Sequence, residues 1–394
     1  MPAMIALTAA ALFTPVTRVE QPLLLVDEGR VVEITSRVSR EVPGNTRHLD
    51  FDDAVLAPAF IDMHIHGSAG YDVMDSRPEA LPAVEGLLAR HGVASYYPTT
   101  VTAPVDVILA ALDRLASAIE GSEKDGTGSH ELRARPLGIH LEGPFISHTR
   151  RGVHPPENLL RPSPEIFRCF WQASRGHIKV ITIAPELEGA PETIAEAAKL
   201  KVCVSLGHSD ASLESTRAAV AAGARHVTHT FNAMRPLSHR DPGILAEVLT
   251  DSQLTADIIA DGVHLDPSIV KLFLQAKGLS GSVLITDATS ATGMPEGRYR
   301  LGSFAVEVKD GVCLADGKLA GSVLTMDRAV RNVMKFAEWD LQSALRAATL
   351  NPAQVLGIAE QKGSLGPGAD ADIVVMSPNG EIRKTIIRGN VDAE

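Results

Sequence analysis

Short runs of β-branched and aliphatic residues recur along the middle of the chain, most followed by a stretch rich in Ala, Leu and Glu. The runs are AFIDMHIH (59–66), VASYYPTT (93–100), PLGIHLEG (136–143), IKVITIAPE (178–186), KVCVSLGHS (201–209), HVTHTF (226–231), LTADIIADGVH (254–264) and SVLITDA (282–288). Between them PAVEGLLARHG and DASLESTRAAVAAG read as helices, the second with Asp210 or Ser212 as its N-cap and Gly223 as its stop. Strand–helix alternation predicts parallel strands with right-handed crossovers, and eight such units predict closure into a (β/α)8 TIM-type barrel. An open doubly wound sheet is the alternative, but no G-x-G-x-x-G turn follows an early strand.

The two ends follow another grammar. LLLV and VVEI flank Asp27-Glu28-Gly29-Arg30, a hairpin spacing, and DADIVVMSPNGEIRKTIIRGN sets two β-rich runs around Pro378-Asn379-Gly380. The expected architecture is therefore α/β, with a barrel over 57–358 and a small β-sandwich domain built from both chain ends, 1–56 plus 359–394.

Polar residues sit at the ends of most of the barrel runs. His64 and His66 end the first, Glu142 the third, His208 the fifth, His229 the sixth, His264 the seventh and Asp287 the eighth. An isolated H-x-H pair is as readily the polar face of a half-buried strand as a pair of metal ligands. In a barrel, however, the C-terminal strand ends form one mouth, and solvated histidines have no reason to gather there. Joint occurrence favours chemistry, and Asp287, after four β-formers, would be costly to bury unpaired.

Composition narrows the partners. The 394 residues are 45% hydrophobic and 22% charged, ordinary for a folded chain, with a formal charge of −11 and no basic run. Nucleic acid and anionic membrane are thereby disfavoured as partners, and an anionic ligand needs a local cluster. Cys169, Cys203 and Cys313 form no C-x-x-C pair and read as reduced, buried thiols. Residues 3–13 look superficially like a signal core but lack a basic leader, and no apolar run reaches membrane-spanning length, so a cytoplasmic enzyme is expected.

FIDMHIHG, GIHLEGPFIS, GVHPPENL, SLGHSDA, THTFNAM, IIADGVH and LITDATSATGM, with the closing NPAQVLGI and GSLGPGADADIVV, resemble in order the motifs of the N-acetylglucosamine-6-phosphate deacetylases, a branch of the amidohydrolase superfamily. The resemblance implies hydrolysis of N-acetylglucosamine 6-phosphate to glucosamine 6-phosphate and acetate, in amino-sugar catabolism and recycling. It implies that Glu142, His208 and His229 bind a catalytic divalent metal ion, and that His64 and His66 hold a second one, giving one or two ions per subunit. Zinc suits one carboxylate and two imidazoles best, though iron, manganese and cobalt suit them too. By the same resemblance, metal-activated hydroxide attacks the acetamide, His154 polarises its carbonyl, and Asp287 takes the water's proton and hands it to the departing amine. Arg240 and His264 are expected on the phosphate with Asn232 and the Ala233 backbone N–H, one contact crossing the interface of a homodimer. Arg235 and His239 add basic character nearby without an assigned role, and alone Arg240 reads as a surface partner of Asp241 or Glu247. Pro58-Ala59-Phe60 stands where the superfamily commonly has P-G-F, so the turn there must avoid positive φ.

Two other readings compete. One is an amidohydrolase acting on a cyclic amide or amino-substituted ring, which needs no phosphate cradle. The other is a silent barrel used for assembly, which the complete set of ligand positions disfavours.

Overall fold

The computed structural model describes residues 4–124 and 132–391. Eight parallel strands are β1 (Phe60–Ile65), β2 (Val93–Thr100), β3 (Ile139–Glu142), β4 (Ile178–Ile183), β5 (Cys203–Leu206), β6 (His226–Val227), β7 (Ala256–Ile259) and β8 (Ser282–Ile285). One helix follows each within its unit: α1 (Ala80–Arg90), α2 (Val105–Lys124), α3 (Pro164–Ala173), α4 (Ala190–Lys199), α5 (Leu213–Ala222), α6 (Gly243–Thr250), α7 (Pro267–Gly281) and α8 (Met326–Ala337). All eight predicted runs contain strands, but all except β2 are shorter than their runs, so His66, His208, His229, His264 and Asp287 lie in loops just beyond them. Ser212 caps α5 by accepting from Ser215 N–H at 3.1 Å, and Gly223 ends it with φ 126°. Ala59 keeps a negative φ, as a non-glycine residue should.

Continuous ladders join β1 through β6 and, separately, β7 to β8. At the two seams the backbone pairing is thin, and at each a buried aspartate supplies the missing bonds. Between β6 and β7, Thr230 N–H donates to the Asp257 carbonyl at 2.9 Å. The Asp257 carboxylate there accepts from His229 N–H at 2.5 Å and faces His226 Nε2 at 2.9 Å. Between β8 and β1, Asp287 N–H donates to the His64 carbonyl at 2.9 Å. Asp62 then accepts from Thr286 Oγ at 2.5 Å and from Thr286 N–H at 3.3 Å. Burial pushes the Asp62 carboxyl up to about 6, against the pull of those donors.

Residues from both ends of the chain make two sheets. One orders Arg30–Ser36, Pro22–Asp27, Ile5–Thr8 and Arg47–Asp50; the other orders Ile382–Ile386, Ile373–Met376, Val55–Pro58, Ala11–Phe13 and Arg18–Glu20. Period-two alternation gives the second sheet two faces. Leu56, Ile373 and Val375 pack with Leu7, Leu24 and Val31 of the first sheet, while Ala57, Val374 and Met376 join the barrel core. Val55–Pro58 straddles the expected boundary at residue 56 and runs almost directly into β1.

A further element was not anticipated. Between β8 and α8, Gly297–Leu301, Phe304–Lys309, Val312–Ala315 and Lys318–Leu319 form an antiparallel sheet. Its apolar face packs on Val101 and Val153 from two barrel loops, which sets it over the mouth. The three cysteines are free, but Cys169 is exposed on α3 rather than buried, because it lies on the face of that helix opposite Phe167 and Phe170.

Asp257→Ala leaves His229 N–H and His226 without their partner inside the barrel. It should lower unfolding stability by about 3–5 kcal/mol, as measured by denaturant titration, while Asp257→Asn, which keeps an acceptor, should lose less.

Candidate metal centre and substrate pocket

Three of the expected site residues adopt left-handed backbone where their strands end: His208 (φ 48°), His229 (φ 30°) and Asp287 (φ 48°). Such conformations cost about 1–3 kcal/mol each in non-glycine residues and cluster where structure serves a site. Here they break each strand at the mouth, and all three side chains converge on buried Glu142 and the His pair.

The distances are short. His229 Nε2 lies 3.1 Å and His208 Nε2 3.3 Å from Glu142 Oε1, and the two nitrogens are 3.1 Å apart. His66 Nε2 lies 3.2 Å from both Glu142 Oε2 and Asp287 Oδ1, and 3.3 Å from His64 Nε2. His64 Nε2 is 3.5 Å from Glu142 and 3.5 Å from Asp287. Two groups with metal-ligand geometry result, Glu142 with His208 and His229, and His64 with His66 and Asp287, all buried.

Hydrogen bonds on the far side of three of the rings fix their tautomers, while Nδ1 of His64 and of His229 has no such partner among the described residues. His208 Nδ1–H donates to the Arg150 carbonyl at 2.9 Å, and His66 Nδ1–H to the Thr99 carbonyl at 2.9 Å. In the neutral rings both Nε2 lone pairs therefore aim at carboxylate oxygens. Lone pairs converging with anions at about 3.2 Å repel unless a cation lies between them, so the donor set fits a divalent ion. His154 is wired the opposite way. Thr102 N–H points at its Nδ1 from 3.3 Å and Thr102 Oγ lies 2.8 Å away, so Nδ1 is the acceptor and Nε2 carries the proton. Gly143 makes room for this contact, since a Cβ there would stand 2.2 Å from Thr102 Oγ.

In the ion-free chain protons do part of a cation's work. Burial opposes charge on His229, but Glu142, Asp287 and Asp257 outweigh it and lift its pKa to about 9. His66 is likewise raised against burial by Asp287 and Glu142. His208, where burial wins, falls to about 4. Burial would raise Asp287, yet His64 and His66 bring it to about 2.

Above the centre lies a cavity of about 500 Å3 lined in part by Glu142, His154, Asn232, Ala233, His264 and Asp287. His264 is oriented by Asp261, its Nδ1 2.8 Å from the carboxylate. Arg240 is not brought into this cavity. It sits exposed on the 235–242 loop, and its anticipated surface partners are taken, Asp241 by Arg235 and Glu247 by Arg217. Sequence reasoning missed Arg150 and Arg151, and Leu301, Phe304, Lys318 and Leu319 of the inserted sheet, all of which line the cavity. The alternation in RYRL and FAVEVK, with glycine turns between, is the signal that would have found that sheet.

The sequence profile of the amidohydrolase family matches residues 55–391, and the chain belongs to that family. The N-acetylgalactosamine-6-phosphate deacetylase of Escherichia coli O157:H7 is 40% identical over 341 residues, covering 86% of this chain and 88% of its own. The N-acetylglucosamine-6-phosphate deacetylase of Bacillus subtilis is 38% identical and covers 93% of this chain and 91% of its own. A variant N-acetyl-D-glucosamine-6-phosphate deacetylase from Mycobacterium smegmatis, solved with N-acetyl-D-glucosamine-6-phosphate, superposes with a TM-score of 0.92 at 31% identity over 100% of both chains. Within the amidohydrolases, then, the chain belongs with the N-acetylglucosamine-6-phosphate deacetylases. An enamidase at 15% identity and TM-score 0.64 shares the fold alone.

Ion binding must displace the protons held by His229 and His66. Below about pH 9, metal uptake should therefore release protons, and apparent affinity should fall as pH drops, by up to about tenfold per unit for each proton displaced. Titrating zinc into chelator-treated protein between about pH 6.5 and 8.5 checks this. A pH-independent affinity would remove the imidazoles from the ligand set.

Proposed function

We propose that this hydrolase deacetylates N-acetylglucosamine 6-phosphate, yielding glucosamine 6-phosphate and acetate. The observation that carries the reading is the division of the mouth histidines into two kinds. As neutral rings His66 and His208 turn lone pairs inward, as ligands do, and His154 turns an N–H inward, as a donor to a carbonyl oxygen does.

Glu142, His208 and His229 would hold the principal ion, with His64 and His66 offering a second position beside Asp287. Zinc is the ion proposed, from two imidazoles and a carboxylate with an open position. A divalent ion held there would supply Lewis-acid chemistry, polarising a carbonyl and lowering the pKa of a water from about 15.7 toward 7. His154 Nε2–H holds the acetamide oxygen. Asp287, ionised across the neutral range by its histidine neighbours, accepts the water's proton and delivers it to the amine nitrogen as the C–N bond breaks. His264, Asn232 and the Ala233 N–H face the same cavity and bind the 6-phosphate. Arg240 reaches that phosphate in the neighbouring subunit of a homodimer; the exposure of its loop, with Leu237 51% exposed, supports this reading. Among the described residues no helix is long and apolar enough to cross a membrane.

The 40% identity to a galactosamine relative favours a second reading, in which the 4-epimer is also a substrate. Acetate release from both phosphorylated epimers and from unphosphorylated N-acetylglucosamine separates the cases. Rapid turnover of the phosphorylated glucosamine sugar is expected, and equal rates with and without phosphate would overturn the reading.

Asp287→Asn should lower kcat by about 10²–10⁴-fold, since one residue serves both proton transfers. Near-normal kcat would take Asp287 out of the mechanism. Arg240→Ala should reduce kcat/KM for the phosphorylated sugar by roughly ten- to a hundredfold, the worth of a charged hydrogen bond, mainly through KM. The plain sugar should be turned over as before; an equal loss on both would make Arg240 structural.

A further inference from the structure

The loop after β3 and the His208 turn grip each other at two points. Ser147 N–H donates to the His208 carbonyl at 2.9 Å, and His208 Nδ1–H donates to the Arg150 carbonyl at 2.9 Å. Arg150 lines the substrate cavity, where a guanidinium invites the role of anion grip. Its side chain is already engaged, however, with Nε donating to Asp210 Oδ1 at 2.8 Å. Asp210 is itself anchored. Its N–H donates to Glu186 Oε1 at 2.6 Å, next to Ser209 Oγ donating to Glu186 Oε2 at 2.8 Å, and Arg235 stands 3.7 Å away on its other oxygen. Asp210 follows His208 by two residues, so the contacts close a ring: imidazole to Arg150 carbonyl, Arg150 guanidinium to Asp210, and Asp210 back to His208 through the chain. Gly152 continues the loop past the imidazole, where a Cβ would lie 3.4 Å from Cε1, and His154 follows.

We propose that Arg150 and Asp210 are a positioning pair, holding the carbonyl that sets the tautomer and direction of His208, and that Arg150 is not the grip on the substrate's anion. The inference rests on His208 being a metal ligand, as argued above. Both side chains are about a third exposed, at 33% and 31%, and an ion pair so exposed adds little to global stability. Its loss is therefore felt locally, at the metal.

The test compares wild type, Asp210→Ala, Arg150→Ala, Arg150→Lys and His208→Ala by zinc competition against a chromogenic chelator, with unfolding midpoints of the metal-free proteins. Partners that orient a ligand are worth about 10–100-fold in metal affinity, and the pair acts one link further out. Asp210→Ala and Arg150→Ala should each weaken zinc binding roughly tenfold without shifting the midpoint, and Arg150→Lys, which can still reach Asp210, should come back to within about threefold of wild type. KM for the phosphorylated sugar in Asp210→Ala should be unchanged once the enzyme is saturated with metal. Wild-type zinc affinity in both alanine variants, or an Arg150→Ala defect confined to KM for the phosphorylated sugar, would overturn the pair alone. Unchanged zinc uptake in His208→Ala would bring down the ligand reading and the pair together.

Discussion

Glu142 is a carboxylate shut away from water, 2% exposed, whose ion-pairing neighbours among the described residues are all histidines. In that position charge cannot be left uncompensated, because desolvation of an isolated carboxylate would outweigh any local packing gain. Protons on two of the rings balance it in the ion-free chain, and a divalent ion balances it better. Much of the rest follows from this demand. Four strand ends must deliver imidazoles or a carboxylate to one point, three of them by entering a disfavoured backbone region, and the barrel must be stiff enough to hold them there.

Stiffness is supplied where the backbone ladder is weakest. Asp257 and Asp62 each span a seam, and each also accepts the backbone N–H of a mouth histidine, His229 or His64. Closure of the barrel and placement of the ligands are thus one structural event, performed by the same buried carboxylates. The rings are then differentiated by their outer nitrogen: a backbone carbonyl makes a ligand of His66 and His208, and the Thr102 N–H makes a donor of His154. Identical side chains take opposite roles because their neighbours present opposite hydrogen-bonding partners.

Much of this was legible in the sequence because β-branched runs and helix spacings report local propensity, and each barrel unit is local. The mouth residues were legible because they fall at a fixed place in each unit. The inserted sheet escaped notice since its strands are partly exposed and alternate, a weaker signal than continuous apolar runs, and because eight units already accounted for a closed fold. Arg150 and Arg151 could not be placed from spacing alone, for a basic pair in a loop has no periodicity to aim it. Arg240 is the converse case: its motif was recognised, but the side chain lies outside the cavity of its own chain, and local pattern carries no information about which molecule it serves. The tautomers were equally beyond sequence, since they depend on which carbonyl or N–H comes to lie behind each ring.

The strand Val55–Pro58 pairs with Ala11–Phe13 on one side and with Ile373–Met376 on the other, more than 300 residues downstream. On a ribosome the early strands are exposed long before their final neighbour exists. Until then their inner faces, including Leu12 and Leu56, lack Ile373, Val375 and Ile386 of their shared core, and an unpaired strand edge stays open to other chains. Closing so long a loop is slow compared with folding any single barrel unit. The last strands made therefore govern the order of assembly: the barrel can grow outward from its local pairs, whereas the sheet that holds Val55–Pro58 waits for the C-terminus, and a nascent chain stalled before residue 373 would be the species most exposed to aggregation.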